Sequence, residues 1–300
     1  MNYTIKPFEE LDIIDDFLMN AIAADAEVGE RFCRVLLSAL LQRKIGKIKV
    51  IAQRVLPAQS PGLRGIRMDV EVTEYDEKDI DFRAKNIYDL EPSRNHSVYL
   101  PKHNRFYQAK IDYRNMESGE NDFRKLPNLY VITITNYDPF GYDYMMYTIH
   151  NKCEEVPELE YEDGLKFIYF NTTGMKGGNV SIKKLLKYLS DSNINNVTDE
   201  VTRELHECVS HVRVHPEVRD EYMTLEHKIF YERLDAKNEG REEGKIEMLI
   251  ECVLEDLSEY GTLSEELIER IKAEKDLDTL RKWYKLALKV ESVEEFVAKM

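Results

Sequence analysis

The sequence predicts an α/β domain followed by an acidic helical region. Three observations carry this expectation. Apolar residues recur at helical spacing up to Leu41. From Lys47 onward the period falls to two in several short runs rich in β-branched and aromatic residues. Beyond Val197 strand signals stop, and helical patterns carry the chain to Met300.

In order, Phe8 to Ile22 and Glu27 to Leu41 read as helices, with Phe32, Val35, Leu36, Ala39 and Leu40 on one stripe and Asp25 as a cap. Lys47 to Leu56, Leu63 to Thr73 and Lys85 to Glu91 read as three strands. They are separated by a turn at Pro57 to Gly62 and a charged loop at Glu74 to Asp79. Pro92 should stop the third strand, because it cannot donate to a sheet ladder. A helical pattern from Lys102 to Met116 ends at Ser118-Gly119-Glu120. Leu129 to Thr135 is apolar enough for a buried central strand. Tyr144 to Ile149 and Phe167 to Phe170 add two more strands, and Ser181 to Leu189 a helix. The polar Glu239–Lys245 segment carries Gly240 and Gly244 and reads as a hinge or exposed linker. The expected divisions are therefore residues 1–198, a helical extension 199–238 and an acidic helical tail 239–300. The tail's apolar stripes ask for a partner surface, and self-association through these helices is one way to supply it.

At 43% hydrophobic and 10% aromatic, the 300 residues can build a sizeable core. No apolar stretch reaches membrane-spanning length, and Met1 to Glu10 does not read as a secretory signal. Four widely separated cysteines form no C-x-x-C pair, which fits reduced thiols in a cytoplasmic protein. The net charge is −15 and unevenly spread. Met1 to Glu30 has eight acids and one lysine, Arg31 to Arg67 has nine bases and no acid, and Asp199 to Met300 has 27 acids against 16 bases. A polyanion would meet attraction only at the Arg31–Arg67 block, unless those bases merely solvate surfaces and pair with the acidic first helix.

The second strand carries Asp69 within Arg67-Met68-Asp69-Val70-Glu71-Val72. Val70 and Val72 take one face, with room for Met68 beside them; Asp69, Arg67 and Glu71 take the other. The third strand ends in Tyr88-Asp89-Leu90-Glu91. Neighbouring antiparallel strands lie about 5 Å apart, so Asp69 and Glu91 are placed to converge at one sheet edge. Two such carboxylates make a hard-oxygen site suited to Mg²⁺, with Mn²⁺ or Ca²⁺ as alternatives. The competing reading is an exposed strand pair with ordinary solvated acids.

The order helix, three-strand meander, helix, strand resembles the PD-(D/E)XK nuclease superfamily, and within it the recombination-promoting nuclease (transposase-like) family. Several blocks carry the resemblance: Leu11-Asp12-Ile13-Ile14-Asp15-Asp16-Phe17-Leu18, Arg67-Met68-Asp69-Val70, Tyr88-Asp89-Leu90-Glu91-Pro92, Leu100-Pro101-Lys102-His103-Asn104-Arg105-Phe106-Tyr107-Gln108, Asp138-Pro139-Phe140-Gly141 and Tyr222-Met223-Thr224. The Glu239–Gly244 segment extends it, and the match spans roughly residues 8 to 245.

The resemblance implies a restriction-endonuclease-like core, a mixed central sheet flanked by helices, over residues 1–198. It also implies a metal-dependent DNA endonuclease linked to recombination or mobile elements. Asp69 and Glu91 match the two metal-binding acids; Glu30, ahead of Glu27, is the candidate third acid, and the Pro92 carbonyl a further ligand. The third catalytic position, normally Lys or Gln, is Ser93, which cannot supply a positive charge. Lys102 or Arg105 would then stand in, or activity would rest on the metal alone, or the protein would bind nucleic acid or protein without cutting. Arg105 and Gln108 share a helix face and are candidates to hold phosphate or water; otherwise Tyr107 packs on the sheet and Arg105 pairs with Glu91 or Asp112. DNA would be gripped by Arg64, Arg67, Lys102 and Arg105.

Other signals are weaker. His206, Cys208, His211 and His215 lie close in sequence, but Pro216 follows and no second ligand pair is nearby, so a metal is not expected there. Thr172 to Gly178 lacks P-loop spacing, and no nucleophile elbow or hydrolase triad is present.

Overall fold

The computed structural model describes residues 6–56, 66–76, 83–116 and 121–300. Arg64, the Pro57–Gly62 turn and the Ser118–Glu120 helix stop lie outside the described residues. The chain forms two compact units, Met1–Met223 and Thr224–Met300.

In the first unit, helices α1 (Asp16–Ala24) and α2 (Gly29–Leu41) precede strands β1 (Ile48–Ala52), β2 (Val55–Leu56), β3 (Ile66–Arg67), β4 (Val70–Tyr75) and β5 (Ala84–Ser93). Helix α3 (Leu100–Arg114), β6 (Asn128–Thr135), β7 (Met146–Ile149), β8 (Leu165–Asn171), α4 (Val180–Ser190) and α5 (Glu200–Arg213) follow. The main sheet runs β1-β4-β5-β6-β8-β7. Strands β1, β4 and β5 form an antiparallel meander; β5, β6 and β8 are parallel; β7 returns antiparallel at the edge. The α/β class and the mixed sheet flanked by helices are as the sequence predicts.

Period-two burial explains the layering. Val70, Val72, Tyr88, Leu90, Ile132 and Ile134 face α1, α2, α4 and α5 in the larger core. Ile87, Leu129 and Val131 face the other way and pack with Ile111 of α3. Met68 joins this second core, on the face opposite Val70 and Val72. The N-terminal helix is shorter than expected: Phe8–Glu10 is a single 3₁₀ turn, and α1 starts at Asp16. The Asp25 carboxylate accepts from the Glu27 and Val28 N–H groups, each at 2.9 Å, and so shapes the tight turn into α2. That turn needs Gly29, because a Cβ there would lie 2.5 Å from the Ala23 carbonyl oxygen.

Two predicted strands are each broken in two. Gln53 adopts a left-handed φ of 50°, and Met68-Asp69 interrupts the facing strand. The pair β2–β3 therefore leaves the main sheet as a separate ribbon. The Gln53 N–H still donates to the Asp69 carbonyl at 2.6 Å and the Met68 N–H to the Arg54 carbonyl at 2.9 Å. Strand β5 runs through Pro92 to Ser93, paired with β6. Its ladder with β4 ends at Leu90, so that side asks no N–H of Pro92.

The expected 199–238 extension is divided in the structure. Helix α5 packs on α1, α2 and α4 within the first unit, and the units part at 223/224. Helix α6 (Pro216–Ser258) runs unbroken through Gly240 and Gly244, so the expected hinge is helical. A residue without a Cβ lowers helix propensity by about 1 kcal/mol but does not forbid the conformation. In the second unit Leu249, Val253 and Leu257 pack with Leu267 and Ile271 of α7 (Glu265–Ala273), Leu280 and Trp283 of α8 (Leu277–Ala287) and Phe296 of α9 (Val293–Lys299). The stripes expected to need an outside partner are thus covered by one another. Among the described residues, no helix is long and apolar enough to cross a membrane.

Candidate functional site

Four acids lie on the α3 side of the β4–β5 pair. Register sets Glu71 opposite Asp89 and Val70 opposite Leu90, so Asp69 falls beside Glu91. The expected convergence is present: the Asp69 N–H donates to Glu91 Oε1 at 3.1 Å. Asp69 sits where the chain leaves ribbon β2–β3 and enters β4, and there it reaches past the sheet end to α1. Asn20 Nδ2 donates to Asp69 Oδ1 at 3.3 Å and to the Asp16 carbonyl at 2.8 Å.

The acids differ in their company. Glu71, 1% exposed, is held by Arg54 Nη1 at 3.0 Å and Arg114 Nη1 at 2.6 Å. Asp89, 0% exposed, lies opposite Val131 of β6, and apart from the neighbouring Glu91 carboxyl no protein donor reaches its oxygens. Its one hydrogen-bond partner is the Glu91 carboxyl, and two carboxyls can join only when one carries a proton. Burial pushes Asp89 up to about 8, with Asp69 and Glu71 adding repulsion. Burial raises Glu91 well above the carboxylate range, helped by Asp89 and Asp69. Asp69 is raised chiefly by burial, while Asn20, Glu91, Arg67 and His103 act to lower it. Asp16 is exposed as a residue, yet desolvation of its carboxyl and the charges of Asp69 and Asp15 push it up to about 7. Crowded oxygens with too few donors are the setting that a hard dication would relieve, and Mg²⁺ asks for only one or two carboxylates.

The first-helix acid at this site is Asp16, and Glu30 is a correction. Glu30 lies exposed on α2 and pairs with Arg34 one turn on, so it is not brought to Asp69. Asp16 gave no signal beyond its place in an acidic run; its approach depends on where α1 crosses the sheet. The α3 expectations also shift. Lys102 and Arg105 are exposed, and Arg105 pairs with neither Glu91 nor Asp112. Gln108 Nε2 donates to Asp112 instead. On this stretch Asn104 is buried and Tyr107 half-buried, while His103 is exposed like Lys102 and Arg105. The His103 ring lies 4.1 Å from that of Tyr107 at a tilt of 37° and acts to lower Asp69; Asn104 Nδ2 donates to Thr133 Oγ1 at 2.8 Å; the Tyr107 hydroxyl donates to the Arg67 carbonyl at 2.9 Å. Ser93 Oγ lies 3.1 Å from the Tyr137 hydroxyl, and the neighbouring Arg94 pairs with Asp15.

Four arginines of the basic block are paired with acids. Arg31 pairs with Glu207, Arg34 with Glu30, Arg43 with Glu74 and Arg54 with Glu71. These partners are not the acids of the first helix. Arg67 is exposed and donates to Gln53 Oε1. A concavity of about 630 Å³ between Tyr130, Thr148, His150 and the 157–166 segment includes none of the four acids.

No family model matches this chain, and neither does any curated protein or solved structure to which it was compared.

Proposed function

We propose that the protein is a divergent metal-dependent endonuclease-like protein of the PD-(D/E)XK type, with DNA as substrate. The observation that carries this reading is the meeting of Asp69 and Glu91, beside a buried Asp89 that has no donor other than the Glu91 carboxyl. Asp69 and Glu91 would hold Mg²⁺. A bound dication would polarise a scissile phosphodiester and acidify water. Asn20 fixes the Asp69 carboxylate, and the Asp69 N–H fixes Glu91. Asp89 and Glu91 share a proton, and it must leave Glu91 when a cation enters. Arg67 and His103 bring positive charge toward Asp69 from the ribbon and from α3. Lys102 and Arg105 face outward, where they can meet the phosphate backbone. The superfamily's lysine is replaced by Ser93, and of the two basic groups that act on Asp69, Arg67 outweighs His103.

A second reading is a nuclease-like fold that binds nucleic acid or protein without cutting. Ser93 favours it, since its hydroxyl is engaged with Tyr137 and carries no charge.

A plasmid-nicking time course with Mg²⁺, Mn²⁺ or EDTA, run beside Asp69→Ala and Glu91→Ala, separates the two. Cleavage that needs metal and falls at least about a hundredfold in both variants supports the nuclease. Absence of cleavage, with binding retained, supports the silent reading.

A further inference from the structure

A second constellation lies at the other end of α1. Asp25, at the C-terminal end of this helix, meets His211 of α5 and His215 of the α5–α6 junction. One ligand atom from each lies within 4.8 Å of the other two, and among the described residues no other such trio of His, Cys, Asp or Glu is found. We propose that Asp25, His211 and His215 form a binding site for a borderline transition-metal dication, Zn²⁺ foremost.

Several observations point to a ligand. His211 Nε2 is buried and has no hydrogen-bond partner. It lies 3.6 Å from Asp25 Oδ1, too far for a hydrogen bond, which would close to about 3 Å. Two ligands on a tetrahedral zinc with bonds near 2 Å stand about 3.4 Å apart, so this separation suits a shared metal. The His211 and His215 ring centroids lie 4.7 Å apart, tilted at 48°. Two imidazoles and a carboxylate are a borderline donor set. They suit Zn²⁺, Co²⁺, Ni²⁺ or Cu²⁺ far better than Mg²⁺ or Ca²⁺.

The backbone holds each ligand. The Glu27 and Val28 N–H groups fix Asp25 Oδ1. His211 is in the last turn of α5. The His215 N–H donates to the Val212 carbonyl at 3.2 Å, and its own carbonyl accepts from Arg219 N–H at 3.3 Å. The Pro216 that seemed to close off a site from sequence opens the next helix, with His215 as its cap. The missing second ligand element is the α1–α2 turn. Glu27 Oε2, 3.9 Å from His211 Nε2 and largely exposed, is within reach as a fourth ligand; otherwise the fourth position belongs to water or an external group. Helix α1 is nine residues and about 13 Å long, so this site is separate from the acids that Asp16 approaches. His206 and Cys208 are not part of it: His206 Nδ1 bonds the Tyr188 hydroxyl at 2.9 Å, and Cys208 is buried in the core. A metal here would tie the α1–α2 turn to the end of α5.

The test is calorimetric titration of EDTA-dialysed full-length protein with ZnCl₂, and with MgCl₂ as the contrasting ion. It is run beside His211→Ala, His215→Ala and Asp25→Asn, with visible absorption of the Co²⁺ form as a second readout. Asp25→Asn keeps an acceptor for the Glu27 and Val28 N–H groups, so it should fold. One equivalent of Zn²⁺ should bind, with at least about a hundredfold loss of affinity in each histidine variant and at least about tenfold in Asp25→Asn. Asp69→Ala should bind Zn²⁺ at this site as the parent does, and Mg²⁺ should not compete. Zn²⁺ binding that persists in the histidine variants, or no stoichiometric binding in the parent, would overturn the proposal.

Discussion

Glu74 and Asp89 are both buried acids on adjacent strands, and they have opposite electrostatic characters. Glu74 faces the larger core and accepts from Gly46 N–H at 2.8 Å, from Asn86 Nδ2 at 2.7 Å and from the Tyr88 hydroxyl, with Arg43 at 3.5 Å. Burial acts to raise its pKa, but these donors outweigh that and hold it below the usual carboxylate range. Asp89 faces α3 and has only the Glu91 carboxyl for company, so burial wins and the pKa rises. Burial alone therefore does not mark a functional acid. The balance of donors against desolvation does, because a carboxylate without donors is costly to keep unless something else arrives to neutralise it.

The widest separation of the two acids should come from removing each in turn. Glu74→Ala leaves Tyr88, Asn86 and Arg43 facing a vacated buried acceptor, and should destabilise the first unit by roughly 3 kcal/mol or more. Asp89→Asn should stabilise the metal-free protein at pH 8 by up to roughly 3 kcal/mol. Urea unfolding of the two variants would break the comparison if both shifts had the same sign.

The pH dependence follows from the same balance. Asp89 has a folded pKa near 8 against 3.8 for an ordinary aspartate. The folded state thus binds more protons, and stability should be full below about pH 4 and fall as pH rises through 8. Asn at position 89 should flatten that slope, which denaturant midpoints at pH 6 and pH 8 would reveal. A parent slope unchanged by the substitution would place the titration elsewhere.

Mg²⁺ should act in the opposite direction to protons. At about a hundred times its pH 8 dissociation constant it should add roughly 2.7 kcal/mol at pH 8 and less at pH 6 at the same concentration, since protons compete for the same oxygens. Thermal unfolding of the parent and of Asp69→Ala, with and without Mg²⁺, measures this. Equal shifts in both proteins would remove Asp69 from the site.

The smallest expected effect concerns Lys102 and Arg105. Both are exposed, so replacing either with Ala should leave stability within about 0.5 kcal/mol. Each substitution should reduce the salt dependence of DNA binding by about one unit of slope if the residue meets a phosphate. Fluorescence anisotropy across a salt series would show it.

The sequence by itself determined the alternation of helices and strands, the meander that sets Asp69 near Glu91, and the switch to helices after Val197. These are local matters: side-chain period, β-branching and cap residues act over a few positions. Proximity of acids on neighbouring strands follows from register once the strands are placed. Tertiary structure decided what no local pattern encodes. It broke two strands at Gln53 and Met68-Asp69, and so carried Asp69 to the junction where Asn20 could reach it. It chose Asp16 over Glu30, because the crossing of a helix over a sheet, not spacing along the chain, fixes which helical residues approach the acids. It paired Arg31, Arg43 and Arg54 of the basic block with acids from other elements. It also brought Asp25 to two histidines far along the chain, a contact that exists only because α5 packs against α1 and α2.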